Sequence, residues 1–423
     1  MKLVTVFLLL LAFPASAYAA AGDPDRDFGR RGTVTLRAAS ADTDAVGYAV
    51  RVLSGNRILA GGSAGGQLFV IKLRASGSLD SAFGTRGQVV PALPGTSLDG
   101  VKGIQTVRDG RVVASATLRL ADGSTRFVTL RLLPSGEIDP SFGAGQGYVL
   151  SGPTDAELGA MTMNRDGVVY LAGSSAGAPY VMRLLPDGTP DPAFANPALG
   201  VAGRVTGLLV RTDGTLTYTV QTGAASFTVV KLNAAGALDP TWGGTGVVTH
   251  VLSPGTGPGL GAAAVRQGPT TTTLVAGTDT TAAGTARGSV IRLNADGSLD
   301  TTFGNKGFVR VSRSGRDLRI TAMVRDRSGR IVLAGTGRAP DSMLVRLRAS
   351  GARDSKFGNG GLTFRVLGQP PGGRPVYTRF DAVDVAGSKP VVVGSSAGPG
   401  TLVRSISGTA FTGRFSLTVS RFD

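Results

Sequence analysis

One phrase dominates this chain. Gly297-Ser-Leu-Asp-Thr-Thr-Phe-Gly-Asn-Lys-Gly307 has close copies along most of its length, and aligning them on the aromatic gives Phe28, Phe83, Phe142, Phe194, Trp242, Phe303 and Phe357. The intervals are 55, 59, 52, 48, 61 and 54 residues. Such a period holds four short strands with their turns, the content of one propeller blade, and is too long for a β-solenoid coil. The spacing predicts an all-β fold, a seven-bladed β-propeller of four-stranded blades. Gly supplies 64 of 423 residues beside a 42% apolar content, which suits many short strands joined by tight turns and argues against disorder.

Within each phrase an Asp stands three positions before the aromatic, and Pro140, Pro192 and Pro240 follow it in three copies. An Asp that accepts backbone N–H groups, with Pro at the next position, starts a single tight turn. The Gly after the aromatic, as in Gly84 or Gly304, can take positive φ and end it. The phrase is therefore a capped corner between the third and fourth strands, its aromatic turned inward between blades. Ala195 replaces that Gly and is followed by Asn196-Pro197, which predicts an irregular corner there.

Eight positions before the corner Asp lies a basic residue on a short apolar strand: Lys72 with Asp80, Arg131 with Asp139, Arg183 with Asp191, Lys231 with Asp239, Arg292 with Asp300 and Arg346 with Asp354. A fixed offset of opposite charges predicts structural ion pairs within each blade, in preference to a ring of cations that binds an anion. Upstream of these strands are hairpins turned at Asp109-Gly110, Asp166-Gly167 and Asp213-Gly214, dipeptides suited to tight hairpin turns. The Ala-Gly that ends the second strand, as in Ala334-Gly335, suits a crowded place near an axis.

These hairpins, basic strands and corners resemble the delta-60 repeat family of bacterial proteins. The resemblance spans nearly all of residues 22–407 and departs at Trp242, at Ala195 and around Gln267-Gly268-Pro269, where the Asp-Gly turn is missing. It implies a β-propeller-like repeat array, often exported, and brings no catalytic residues.

The expected organisation has three parts: a signal peptide over 1–21, the propeller over 22–407, and 408–423 as a C-terminal edge strand or degenerate eighth corner. Lys2, the apolar run Leu3 to Phe13 and the Ala17-Tyr18-Ala19 pattern have the form of a secretory leader, too short to span a bilayer. The first corner, at Asp25, precedes any hairpin, and the last unit lacks its corner, because Thr412 stands eight residues after Arg404. The N-terminal strand Thr33 to Leu36 is thus expected to complete the last blade, with Asp25 reaching Arg404.

Residues for chemistry are scarce. There is no Cys, one His (His250, expected at the surface after a fourth strand) and two Glu, of which Glu137 belongs to a corner and Glu157 to a connecting loop. Proton transfer usually draws on His or paired carboxylates, and metal sites on clusters of His, Cys, Asp or Glu. No catalytic residue, metal or cofactor is expected. A formal charge of +16 favours acidic partners: anionic polysaccharide, wall polymer or an acidic protein. Nucleic acid is disfavoured because the few aromatics are assigned to corners. Recognition is expected on the variable loops of one face, with Arg313, Arg316, Arg319, Arg374 and Arg379 as the anion-binding group. The resulting expectation is a secreted or cell-surface, monomeric, non-enzymatic binding propeller. The alternative is a propeller hydrolase or lyase using Asp carboxylates near the central channel.

Overall fold

The computed structural model describes residues 20–36, 45–223, 226–251, 261–268, 271–280, 285–312, 317–337, 342–365, 378–397, 402–405, 408–411 and 415–423. The chain is a seven-bladed β-propeller. The first blade is Ala45–Val52, Ile58–Ala64, Gln67–Leu73 and Gln88–Val89, and the second is Ser97–Thr106, Val112–Arg119, Thr125–Leu132 and Tyr148–Ser151. Three strands make the third: Ala156–Met163, Val169–Ser175 and Ala178–Leu184. The fourth blade is Arg204–Val210, Leu216–Gln221, Ser226–Leu232 and Val247–Val251. Gly261–Gln267, Thr273–Thr280, Ala286–Leu293 and Phe308–Val311 form the fifth, and Leu318–Arg325, Ile331–Gly337, Ser342–Leu347 and Leu362–Arg365 the sixth. All pairings are antiparallel, and the first strand of each blade touches the first strands on either side. Those first strands therefore surround the axis.

Each corner is a junction between two blades. In the fifth, Asp300 Oδ1 accepts the Thr302 N–H at 3.0 Å, the Phe303 N–H reaches the Asp300 carbonyl at 3.1 Å, and Phe303 is fully buried. The following Gly304 then donates its N–H to the Ser350 carbonyl of the next blade at 2.9 Å. Gly84, Gly143, Ala195 and Gly243 do the same to Ser135, Asp187, Ala235 and Asp296. The acceptor turns need glycine: a Cβ on Gly351, at φ 90°, would lie 3.0 Å from the Gly304 nitrogen.

The corner cations join the same junction. Arg292 donates through Nε to Asp300 at 2.6 Å and through Nη1 to the Ala349 carbonyl of the next blade at 3.1 Å, and its guanidinium lies 4.8 Å from the centre of the Phe303 ring. Arg183 makes the matching bonds to Asp191 and Ala234, and Arg131 to Asp139 and Pro186. Arg346 meets Asp354 at 2.8 Å. The two lysines are less complete: Lys231 lies 3.0 Å from Asp239 and Lys72 3.7 Å from Asp80. An ammonium lacks the rigid planar fork with which a guanidinium spans a carboxylate and a more distant carbonyl at once.

The irregular third corner has a specific geometry. No fourth strand forms there, and the Asn196 side chain accepts the Val181 N–H at 3.0 Å, a bond a fourth strand would otherwise make. Trp242 replaces Phe without disturbance because its indole N–H finds the Val229 carbonyl at 3.3 Å.

The seventh blade is built from both ends of the chain. Its order is Thr378–Ala386, Lys389–Ala397, Phe415–Arg421 and Thr33–Leu36. The N-terminal strand thus completes the last blade. Two expectations are corrected. The tail is neither an edge strand nor an eighth corner, because Phe415–Arg421 pairs with Lys389–Ala397 on one side and Thr33–Leu36 on the other. Asp25 receives Arg421, at 2.6 Å, where the eight-residue offset names Arg404. Arg404 lies on an inserted hairpin, Leu402–Ser405 with Gly408–Phe411, and its side chain is outside the described residues. The eight-residue offset fails because the Arg and Asp of this pair come from opposite chain ends.

Candidate functional site

Every first strand carries a β-bulge near its start, for example between Gly47 and Ala49, Val205 and Gly207, Ile320 and Ala322, and Phe380 and Ala382. A bulge leaves one residue out of the ladder and re-aims its side chain. The bulged residues Tyr48, Lys102, Thr206, Thr321 and Asp381 all line an axial cavity of about 410 Å³. Three residues further along their strands, Arg51, Gln105, Arg266 and Asp384 line the same cavity. At a strand rise of about 3.3 Å per residue this second tier lies roughly 10 Å deeper. Two residues before the bulge, at the mouth, stand Glu157, Arg204, Arg319 and Arg379.

Burial governs the electrostatics of the lumen. Asp381 accepts from Arg379 Nε at 2.6 Å on Oδ1, yet burial outweighs that cation and holds its carboxyl above the ordinary range. Asp384 is likewise pushed up by burial, against Arg51 at 3.8 Å and the Val52 N–H at 2.8 Å. Burial also lowers the Lys102 ammonium, with Asp99 opposing, although the side chain faces water inside the channel. The group is a mixed-charge lining and not a carboxylate triad. Among the described residues no group of three or more His, Cys, Asp or Glu is placed to hold a metal ion.

Of the expected anion-binding group, Arg319 and Arg379 occupy equivalent positions on adjacent blades at the channel mouth. Arg313, Arg316 and Arg374 fall outside the described residues. Glu157 is corrected from a loop to the first strand of the third blade, where Arg204 meets it at 2.8 Å. His250 stands within the fourth strand of its blade, stacked on Phe227 at 5.8 Å with its Nε2 3.2 Å from the Gly297 carbonyl, so it is packed and not a free surface group. Burial lowers its pKa. Sequence reasoning missed Lys102, Asp381 and Asp384. Their signal was a charge interrupting an apolar first strand, as in Phe380-Asp-Ala-Val-Asp384.

The family model described as a domain of unknown function (DUF5122) beta-propeller matches residues 108–142, 165–194 and 272–303. Each match starts at or beside a first hairpin turn and ends at a corner aromatic, so what recurs is hairpin, third strand and corner. The chain is a propeller repeat protein. No curated protein sequence matches it. Among solved structures it is similar to a catalytically inactive virginiamycin B lyase from Staphylococcus aureus with quinupristin, at TM-score 0.50 and 12% identity over 92% of this chain and 98% of that one. A protein from Lactobacillus plantarum follows at TM-score 0.47, 12% identity, 90% and 100% coverage. The WD40 domain of Toxoplasma gondii coronin gives 0.45 at 10% identity, with 95% and 88% coverage. At such identity the likeness to the lyase is one of fold. No helix among the described residues is long and apolar enough to cross a membrane.

Proposed function

We propose that this protein is an exported, non-enzymatic binding propeller that recognises an extracellular acidic polymer through the loop face around its channel mouth. The observation that supports this most directly is the placement of Arg204, Arg319 and Arg379 at equivalent positions on three blades, with Arg319 exposed. At the mouth Arg204 meets Glu157 and Arg379 meets Asp381, as the corner cations meet corner carboxylates, and the exposed Arg319 is the mouth cation that supports the reading most directly.

The test is retention of the mature protein on immobilised polygalacturonate against neutral dextran at low and high salt. Retention on the acidic polymer alone, weakened by salt and by Arg204→Ala with Arg319→Ala, supports the reading, since contacts between exposed charges are screened. Equal retention on dextran, or none on either, overturns it.

A further inference from the structure

The corners lie on the face opposite the channel mouth, because strands alternate in direction within a blade and the corner joins the third to the fourth. On four consecutive blades, the fifth, sixth, seventh and first, the corner ends in the same tight turn. Asn305, Asn359, Arg30 and Thr85 each donate their N–H, at 2.8 Å, to the carbonyl three residues further on. The next residue has positive φ in all four: Lys306 51°, Gly360 60°, Arg31 54° and Arg86 55°. Glycine holds that conformation without strain, and other residues found there are mostly Asn, Asp or His. Three of these four turns nevertheless carry a long cation at the tip. The second, third and fourth blades turn differently, and Ala144-Gly145-Gln146, Asn196-Pro197 and Gly244-Thr245 bring no charge.

The strained side chains touch nothing that would hold them. A Cβ on Gly360 would have nothing within 4 Å, which places the tip of this turn in open solvent. Lys306, Arg31 and Arg86 are exposed, and their side chains make no hydrogen bond or ion pair with a described residue. The acids of the same corners are occupied: Asp300 by Arg292, Asp25 by Arg421 and Asp80 by Lys72. Asp27 is exposed in this arc, but so are Arg26, Arg30 and Lys356, and Lys356 supplies the charge of the sixth corner, whose tip is glycine. Strained backbone kept at an exposed position without internal contacts points to a contact outside the chain.

The arrangement also bears on what makes that contact. Equivalent turns on successive blades hold the cations at one level along an arc. A flat anionic surface meets them all together, whereas a single polymer strand would have to bend round the ring to do so. We propose that the corner face of the fifth, sixth, seventh and first blades docks on a lipid surface, with Lys306, Arg31 and Arg86 pairing with the phosphates of anionic headgroups. Each Lys or Arg brought near such a surface adds to the attraction. The site is on the opposite face from the channel mouth and does not depend on the loop-face reading.

The experiment is flotation of the mature protein with phosphatidylcholine vesicles, with and without phosphatidylglycerol. The protein is expected to float with the anionic vesicles alone, and less so as salt rises. Combining Lys306→Gly, Arg31→Gly and Arg86→Gly should weaken that binding by about tenfold or more. This variant should melt no lower than the parent, since the sixth corner already turns on glycine and the left-handed strain is removed. Arg31→Lys with Arg86→Lys, which keeps the charge, should bind as the parent does. No flotation with anionic vesicles, equal flotation with neutral ones, or a triple glycine variant that binds like the parent overturns the proposal. Loss of polygalacturonate retention in that variant, without vesicle binding by the parent, overturns it too and assigns the arc to a polymer. The two readings separate because Arg204→Ala with Arg319→Ala should weaken polymer retention and leave vesicle binding intact.

Discussion

The backbone oxygen of Asp423 accepts the N–H of Gly22 at 2.6 Å. In the first blade the same bond runs from Gly77 to Arg74, at 2.9 Å, across the tight turn Arg74-Ala-Ser-Gly77. The neighbouring bonds repeat too: Asp423 N–H to Asp23 matches Arg74 N–H to Ser78, and Asp25 N–H to Arg421 matches Asp80 N–H to Lys72. The seventh blade therefore contains the same turn as the others, divided between Asp423 and Ala20. Across the next junction Gly358 donates to Ala21 at 2.6 Å, as Gly304 donates to Ser350.

A circular permutant that joins Asp423 directly to Ala20 and opens at the exposed Gly123 turn should fold and melt no lower than the parent. A covalent link removes the entropy of bringing two ends together. Removing 415–423 should lower the thermal midpoint at least as much as removing 20–36, because Thr33–Leu36 pairs only with the strand that deletion removes. Differential scanning calorimetry of the three proteins decides this; a permutant that fails to fold would contradict the divided turn.

Gly22→Ala should cost clearly more stability than Gly177→Ala. Both glycines have positive φ, 97° and 77°, so both substitutions carry the strain of about 1–2 kcal/mol expected of a left-handed backbone. A Cβ on Gly22 would also meet the Gly358 nitrogen at 2.6 Å, whereas nothing lies within 4 Å of one on Gly177. Urea midpoints of the two variants give the difference; equal losses would show that the contact across the seam does not matter.

Lys72→Arg should stabilise the first corner. Arginine there can hold Asp80 and also reach the carbonyl of Pro134, which stands where Pro186 accepts from Arg131. Conversely, Arg292→Ala and Asp300→Ala should each lose roughly 2 kcal/mol, as for hydrogen bonds to charged groups, and the double variant should lose less than their sum. Additive losses in the melting of these variants would mean that the pair does not act as a unit.

Stability should pass through a maximum on the acid side of neutrality. Burial favours the neutral acid at Asp25, Asp139, Asp239 and Asp354, but the bonds from Lys389, Ser141, Thr241 and Lys356 respectively, with the corner cations, outweigh it and lower each pKa. For Asp191 the Arg183 bond leads, and for Asp300 the Thr302 hydroxyl. Stability from these six is full above the unfolded value of 3.8 and is lost as pH falls from there through their lowered values. Asp381 and Asp384 act with the opposite sign: their raised values mean that folding strains the ionised form, a cost relieved as pH falls toward 3.8. His250, whose lowered value costs stability as pH falls below 6.5, opposes this rise, so thermal midpoints are measured in His250→Gln from neutral pH to about pH 2, where they should rise slightly and then fall, and adding Asp381→Asn should shrink the rise. A monotonic fall from neutrality would count against the buried lumen carboxylates.

The repeat fixes a great deal by itself. A 55-residue period with Asp, aromatic and Gly at constant spacing leaves few alternatives to a blade, because local turn chemistry and strand alternation act over a handful of neighbouring residues. The hairpin turns, the corners and the N-terminal strand's place in the last blade were legible for that reason. What joins residues far apart was not. Arg421 meets Asp25 across 396 positions, and no offset read along the chain could have found a pair whose members lie on either side of a divided turn. The lumen shows the same limit. Lys102 and Asp381 are single charged residues in unrelated strands until the bulges turn them toward one axis, and that axis exists only once seven blades have closed around it.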